Sequence, residues 1–222
     1  MIAAAPRIAL IHALAHSIAP VNAELDRAWP ECVRMNLLDD SLSTDLAANR
    51  DGLDDAMTAR FLALADYAIG TGARGILFTC SAFGPCIDAV ARRWPDIPVL
   101  KPNEAMIADA SRIGRHVGLV ASFAPTLASM PAEFPAEVTV LPVLAEGALD
   151  ALSRGDASLH DRLVVQAAQR VAAMGCDVVA LAQFSLARAA PAVERAIQTP
   201  VLTTVGSAVR RLRERVENLP AT

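Results

Sequence analysis

A chain of 222 residues that is 54% hydrophobic, 20% charged and only 4% aromatic carries enough apolar material for a sizeable core, which excludes a disordered, collagen-like or disulfide-stapled protein. Twenty Lys and Arg against 24 Asp and Glu leave a net charge of −4. Without a basic excess to meet a phosphate backbone, no nucleic-acid partner is expected.

Short runs rich in Val, Ile and Leu recur along the chain, each followed by a segment with helical spacing. This is the alternation of parallel strands wrapped by helices, an α/β fold. In chain order the predicted strands are 8–13, 33–37, 75–79, 98–100, 116–121, 138–143, 177–182 and 200–204. Arg7 and the apolar run after it have the outline of a short secretion signal. His12 and His16 interrupt that run, and residues 8–13 are needed as a core strand, so a cytoplasmic location is expected. No uncharged apolar stretch reaches the roughly 18 residues of a membrane span, and no membrane partner is expected. Pro20, Pro85, Pro102 and Pro191 stand where helices are predicted to begin, since a first turn does not need the N–H that proline lacks. Leu53, Met57, Phe61, Leu64 and Ala68 form the apolar stripe of the helix before the third strand. The last helix, 207–218, carries Arg210, Arg211, Arg213 and Arg215 among Glu214 and Glu217, a pattern read as a solvated face.

The chain also resembles itself. Residues 72–81 align with 175–184 at an offset of 103, which places Gly72 on Gly175 and Cys80 on Gln183. Pro98-Val99-Leu100 answers Pro200-Val201-Leu202, and Ile8-Ala9-Leu10-Ile11 answers Val117-Gly118-Leu119-Val120. Two similar halves of this size are expected as a pseudo-twofold pair facing a shared cleft. One lobe is predicted over residues 1–100, completed by the C-terminal helix, and the other over 101–222.

In parallel sheets ligands bind beyond the carboxyl ends of the strands, where loops lead into helices. Cys80 ends a strand there and enters a turn that is expected to open a helix, where a thiolate is favoured. Core packing is the competing explanation, since cysteine is also a small hydrophobe. Cys32, Cys86 and Cys176 are read as packing, and all four cysteines as free thiols of a reducing compartment. His12 and His16 follow the first strand and have the intrinsic pKa for proton transfer, although a hydrogen-bonded structural role accounts for either. Thr79, Ser81, Ser122 and Thr126 are candidates for holding a carboxylate or a developing oxyanion, or for capping. Gln183 and Ser185 are candidates for binding polar atoms of a substrate or for packing in a cleft wall, and Glu104 for orienting a base or binding an amine, or for complementing the helix dipole from the first turn. No metal site is expected, because the four histidines lack ligand spacing.

The segment Phe78-Thr79-Cys80-Ser81, the segment from Val179 to Arg188, the turn Asn103-Glu104-Ala105 and the two-half repeat resemble the aspartate/glutamate/hydantoin racemase superfamily. The resemblance implies two Rossmann-like lobes, each with a parallel sheet of about four strands. It also implies no cofactor, a homodimer, and a small carboxylate, amino acid or hydantoin-like cyclic amide as substrate. In racemases of that family a cysteine from each lobe faces the substrate's α-carbon, and Cys80 falls on the first of these positions. Gln183 falls on the second, and an amide neither delivers nor removes a proton near neutral pH. The resemblance thus implies an isomerase working through one thiol, a decarboxylase of malonate-like acids with Cys80 as proton donor, or a ligand-binding homologue without catalysis.

Overall fold

The computed structural model describes residues 5–219. In chain order its elements are β1 (Arg7–His12), α1 (Ile18–Ala28), β2 (Val33–Leu38), α2 (Ser41–Ala48), α3 (Asp55–Gly70), β3 (Ala73–Phe78), α4 (Gly84–Arg93) and β4 (Val99–Leu100). There follow α5 (Glu104–Ile113), β5 (His116–Ala121), α6 (Ala124–Ser129), β6 (Thr139–Leu144), α7 (Ala148–Ser153) and α8 (Ala157–Ala173). The chain continues through β7 (Val178–Leu181), α9 (Ala190–Ala196), β8 (Val201–Thr203) and α10 (Thr204–Glu217). It divides into two compact units. One takes the chain up to Glu104 together with the segment from Ala208 onward, and the other is Ala105–Ser207.

The first unit holds a parallel sheet in the order β2-β1-β3-β4. Its central strand β1 is buried from Ile8 to His12, as an unbroken apolar run requires when helices cover both faces. The core on one face gathers Ala9, Ile11, Ile76 and Phe78 with Phe61 of α3 and Phe83 before α4. Phe61 stacks on Phe78 at 5.2 Å between ring centroids. The predicted stripe is present, with Met57, Phe61 and Ala68 buried and Leu53 and Leu64 packed at its margin. From α10, Leu212 and Val216 lie directly over Gly75, where an added Cβ would stand 3.1 Å and 2.8 Å from their methyl carbons.

The second unit repeats the scheme, with a parallel sheet in the order β6-β5-β7-β8. Val120, Val179 and Leu181 pack on one face with Val164, Ala168 and Val171 of α8, and Leu119 and Ala180 pack on the other with Met106 and Ala110 of α5. The repeat reaches the helix ends. Asp54 caps α3 by accepting from the Met57 N–H at 2.7 Å, and Asp156 caps α8 by accepting from the Leu159 N–H at 2.9 Å. Both helices then turn into their strands through a left-handed glycine, Gly72 (φ +87°) and Gly175 (φ +82°).

Three details differ from the sequence reading. Pro102 lies two residues ahead of α5, in the turn that leads into it, and not in the helix's first turn. The last helix begins at Thr204, three residues early. Arg213 of that helix is also more than a solvated charge, for it donates to the Ala28 carbonyl at 2.6 Å and pairs with Glu31 at 2.8 Å, fastening α10 to the end of α1.

Candidate functional site

At the carboxyl end of β3 the backbone stays extended through Cys80 (φ −126°, ψ 122°). A single 3₁₀ turn, Ser81–Phe83, then intervenes before α4 starts at Gly84. Cys80 is half-buried, whereas Cys32, Cys86 and Cys176 are buried, so among the four it is the residue with the most exposed surface. It lines a narrow recess with His12, Ala13, Leu42, Phe61 and Phe78, too tight to hold a water molecule. Here the expectation of a favoured thiolate is corrected. Burial among these groups pushes the Cys80 pKa up, and the opposing hydrogen bond from the Ala82 N–H is the smaller effect. The helix that was to stabilise the anion begins only at Gly84, and helix-terminus effects fade within a turn. At neutral pH Cys80 therefore rests as a protonated thiol.

Behind Cys80 lies a small polar chain. His12 is fully buried, with Nδ1 3.0 Å from Thr79 Oγ1 and Nε2 3.0 Å from Asn36 Oδ1. With Asn36 Oδ1 as acceptor, Nε2 carries the proton and Nδ1 accepts from the Thr79 hydroxyl. Burial lowers the His12 pKa, and the Asn36 bond only partly offsets it, so the ring is neutral. Asn36 in turn exchanges long amide hydrogen bonds with Asn22. His16 and Ser81 are exposed. Glu104 is partly buried as the first residue of α5, with Oε1 3.9 Å from Arg215.

The equivalent strand end of the second unit is built differently. Gln183 leaves β7 extended (φ −140°, ψ 147°) and enters a 3₁₀ turn at Phe184. Its Oε1 accepts two hydrogen bonds from Ser122 at the end of β5, one from the backbone N–H at 2.6 Å and one from the hydroxyl at 3.0 Å. Thr126 lies in α6 and Ser185 in the 3₁₀ turn, both partly buried. The structure thus joins His12 and Thr79 beside Cys80, and Ser122 to Gln183.

Two polar clusters were not anticipated. Asn36 is, with Arg34, one of two polar residues in the otherwise apolar β2, and that is the one signal the sequence offers for it. In α8 the fully buried His160 has Nδ1 2.8 Å from Asp161, which also binds Arg188 at 2.9 Å. Among the described residues no group of three His, Cys, Asp or Glu side chains is placed to hold a metal. No helix among them is long and apolar enough to cross a membrane.

A family model described as Asp/Glu/Hydantoin racemase matches residues 18–212. Allantoin racemase from Klebsiella pneumoniae shares the fold with a TM-score of 0.71 at 16% identity, covering 98% of this chain and 91% of that one. An aspartate racemase homologue from Pyrococcus horikoshii gives 0.73 at 15% identity, covering 96% and 99%. A glycine-to-cysteine mutant of arylmalonate decarboxylase gives 0.68 at 19%, covering 96% and 94%. A search of curated proteins gives no significant match. With the family model spanning most of the chain, and the doubled parallel sheet common to these structures, the chain belongs to the Asp/Glu/hydantoin racemase family.

Proposed function

We propose that the protein is a cofactor-independent enzyme of the isomerase type that moves a proton at the carbon next to a carboxylate or cyclic amide, with Cys80 as its one proton-transferring thiol. The observation that carries this reading is the position of Cys80, half-buried at the end of β3, while the other three cysteines are buried. The family supports the class of reaction, and the structures that share the fold include an allantoin racemase and an aspartate racemase homologue. Glu104, Thr79, Ser81, Thr126 and Ser185 are proposed to shape the surroundings of the substrate, and His12 to act through Thr79.

A second reading, decarboxylation of a malonate-like acid, is favoured by two observations. Gln183 stands in the repeat where Cys80 stands in the first unit and cannot titrate near neutral pH. Cys80 itself rests protonated, which suits delivery of a proton to a carbanion left by carbon dioxide.

The test is incubation in deuterium oxide with allantoin, the two enantiomers of aspartate and of glutamate, and phenylmalonate. An isomerase washes deuterium into recovered substrate, whereas a lyase labels only the product. Cys80→Ser is expected to lower either rate by about 10²–10⁴-fold, the usual contribution of a general acid or base. Turnover that survives this substitution unchanged removes Cys80 from the chemistry.

A further inference from the structure

We propose that Gln183 is an oriented hydrogen-bond donor, held in place by Ser122, and that this pair is a subsite for an anionic oxygen of the ligand. The inference rests on the carboxylate-directed reading above and adds what the non-titrating residue does.

The geometry fixes which end of the carboxamide is which. A backbone N–H can only donate, so the atom 2.6 Å from Ser122 N is the amide oxygen. The Ser122 hydroxyl donates to the same atom at 3.0 Å. Two donors on Oε1 leave the NH₂ group on the other branch of the planar amide, and Nε2 has no hydrogen-bond partner among the described residues. Ser122, which holds Oε1, is buried, whereas Gln183 is only partly buried. An NH₂ group presents donors only, and its complement is an acceptor such as a carboxylate or an enolate oxygen.

The internal repeat shows that the serine is there for the glutamine. Ile11 pairs with Phe78 in the first sheet, and Val120 pairs with Leu181 in the second. Two residues further along, the first unit has Ala13 beside Cys80, and the second has Ser122 beside Gln183. A thiol needs no clamp, and its neighbour is a methyl group. An amide free to flip could present either an acceptor or a donor, and its neighbour is a hydroxyl that permits one orientation. One layer below the pattern reverses, with His12 and Thr79 in the first unit answered by Ala121 and Ala182 in the second.

The experiment is titration of the wild type and of Q183E, Q183L, S122A, S122T and C80S with phenylmalonate, D-aspartate, D-glutamate and allantoin, by calorimetry and by thermal shift. Q183L is expected to weaken the carboxylates roughly tenfold or more, the loss typical of a hydrogen bond to a charged acceptor. Q183E keeps the shape and the Ser122 bonds but puts a negative oxygen where the donor was, so it is expected to weaken carboxylates more than Q183L does. S122A is expected to cost roughly threefold, with affinity recovered in S122T, a rescue that a merely structural serine does not give. C80S is expected to bind as the wild type does while losing turnover. Carboxylate binding that Q183E leaves unchanged overturns this inference alone. Binding that depends on Gln183 without any turnover dependent on Cys80 supports it while removing the proposed catalysis. A wild type that binds none of the four probes overturns both.

Discussion

His12 spends both ring nitrogens on the protein, and burial sets its charge. Its pKa lies below the value of 6.5 it has in the unfolded chain, so the unfolded state binds the extra proton first as the pH drops. The stability this neutral ring contributes is fully present above about pH 6.5 and is lost as the pH falls through the lower folded-state value. Thermal unfolding midpoints are therefore expected to fall between about pH 7 and pH 5, and to fall less steeply in His12→Gln. Equal slopes in the two proteins would show that other groups carry the acid sensitivity. At this scale the sequence discloses some residues and hides others. Cys80 stands out because an apolar run ends on it and a turn begins. The Ser122–Gln183 clamp joins residues 61 apart, and no spacing rule links them. The rise in the Cys80 pKa is hidden for a related reason, since it comes from side chains as distant in sequence as His12 and Leu42.

Between whole elements, the two sheets solve one packing problem in two ways. In the second unit α8 crosses β5 at Gly118, where an added Cβ would sit 2.7 Å from Val171 Cγ2 and 2.9 Å from Cys176 Sγ. The positions that answer these in the first unit are Ala9 and Ala68, both fully buried in one core. One pair is thus a small residue on the strand with a large one on the helix, and the other is two of middle size. Gly118→Ala is expected to destabilise by about 1–3 kcal/mol through overpacking, as read by denaturant unfolding. Adding Val171→Ala should recover part of this, so that the double variant loses less than the sum of the single ones. Simple additivity would place the strain elsewhere. The eight strands are legible in the sequence to within a residue or two because buried parallel strands are continuous apolar runs. The 3₁₀ turns after β3 and β7 are not, because their start depends on where each strand's ladder stops, and a bound such as Gly84 for α4 moves with it.

At the scale of the whole molecule, the first unit is discontinuous in sequence, since it needs the segment from Ala208 onward to complete it. Leu212 is fully buried, and with Val216 it covers the backbone at Gly75 in the middle of the β3 face. Leu212→Ala is expected to cost about 2–5 kcal/mol, the range for a large-to-small change in a core. Native-state hydrogen exchange should show the loss first in the amides of β3, with those of β7 less affected. Equal loss in both sheets would mean that the helix supports the chain as a whole. This arrangement also orders events during synthesis. A ribosome releases everything required for the Ala105–Ser207 unit before it releases the residues that finish the other. The half that is translated first is therefore completed last, and until α10 emerges the β3 backbone at Gly75 waits without its cover, open to chaperones and to mispairing.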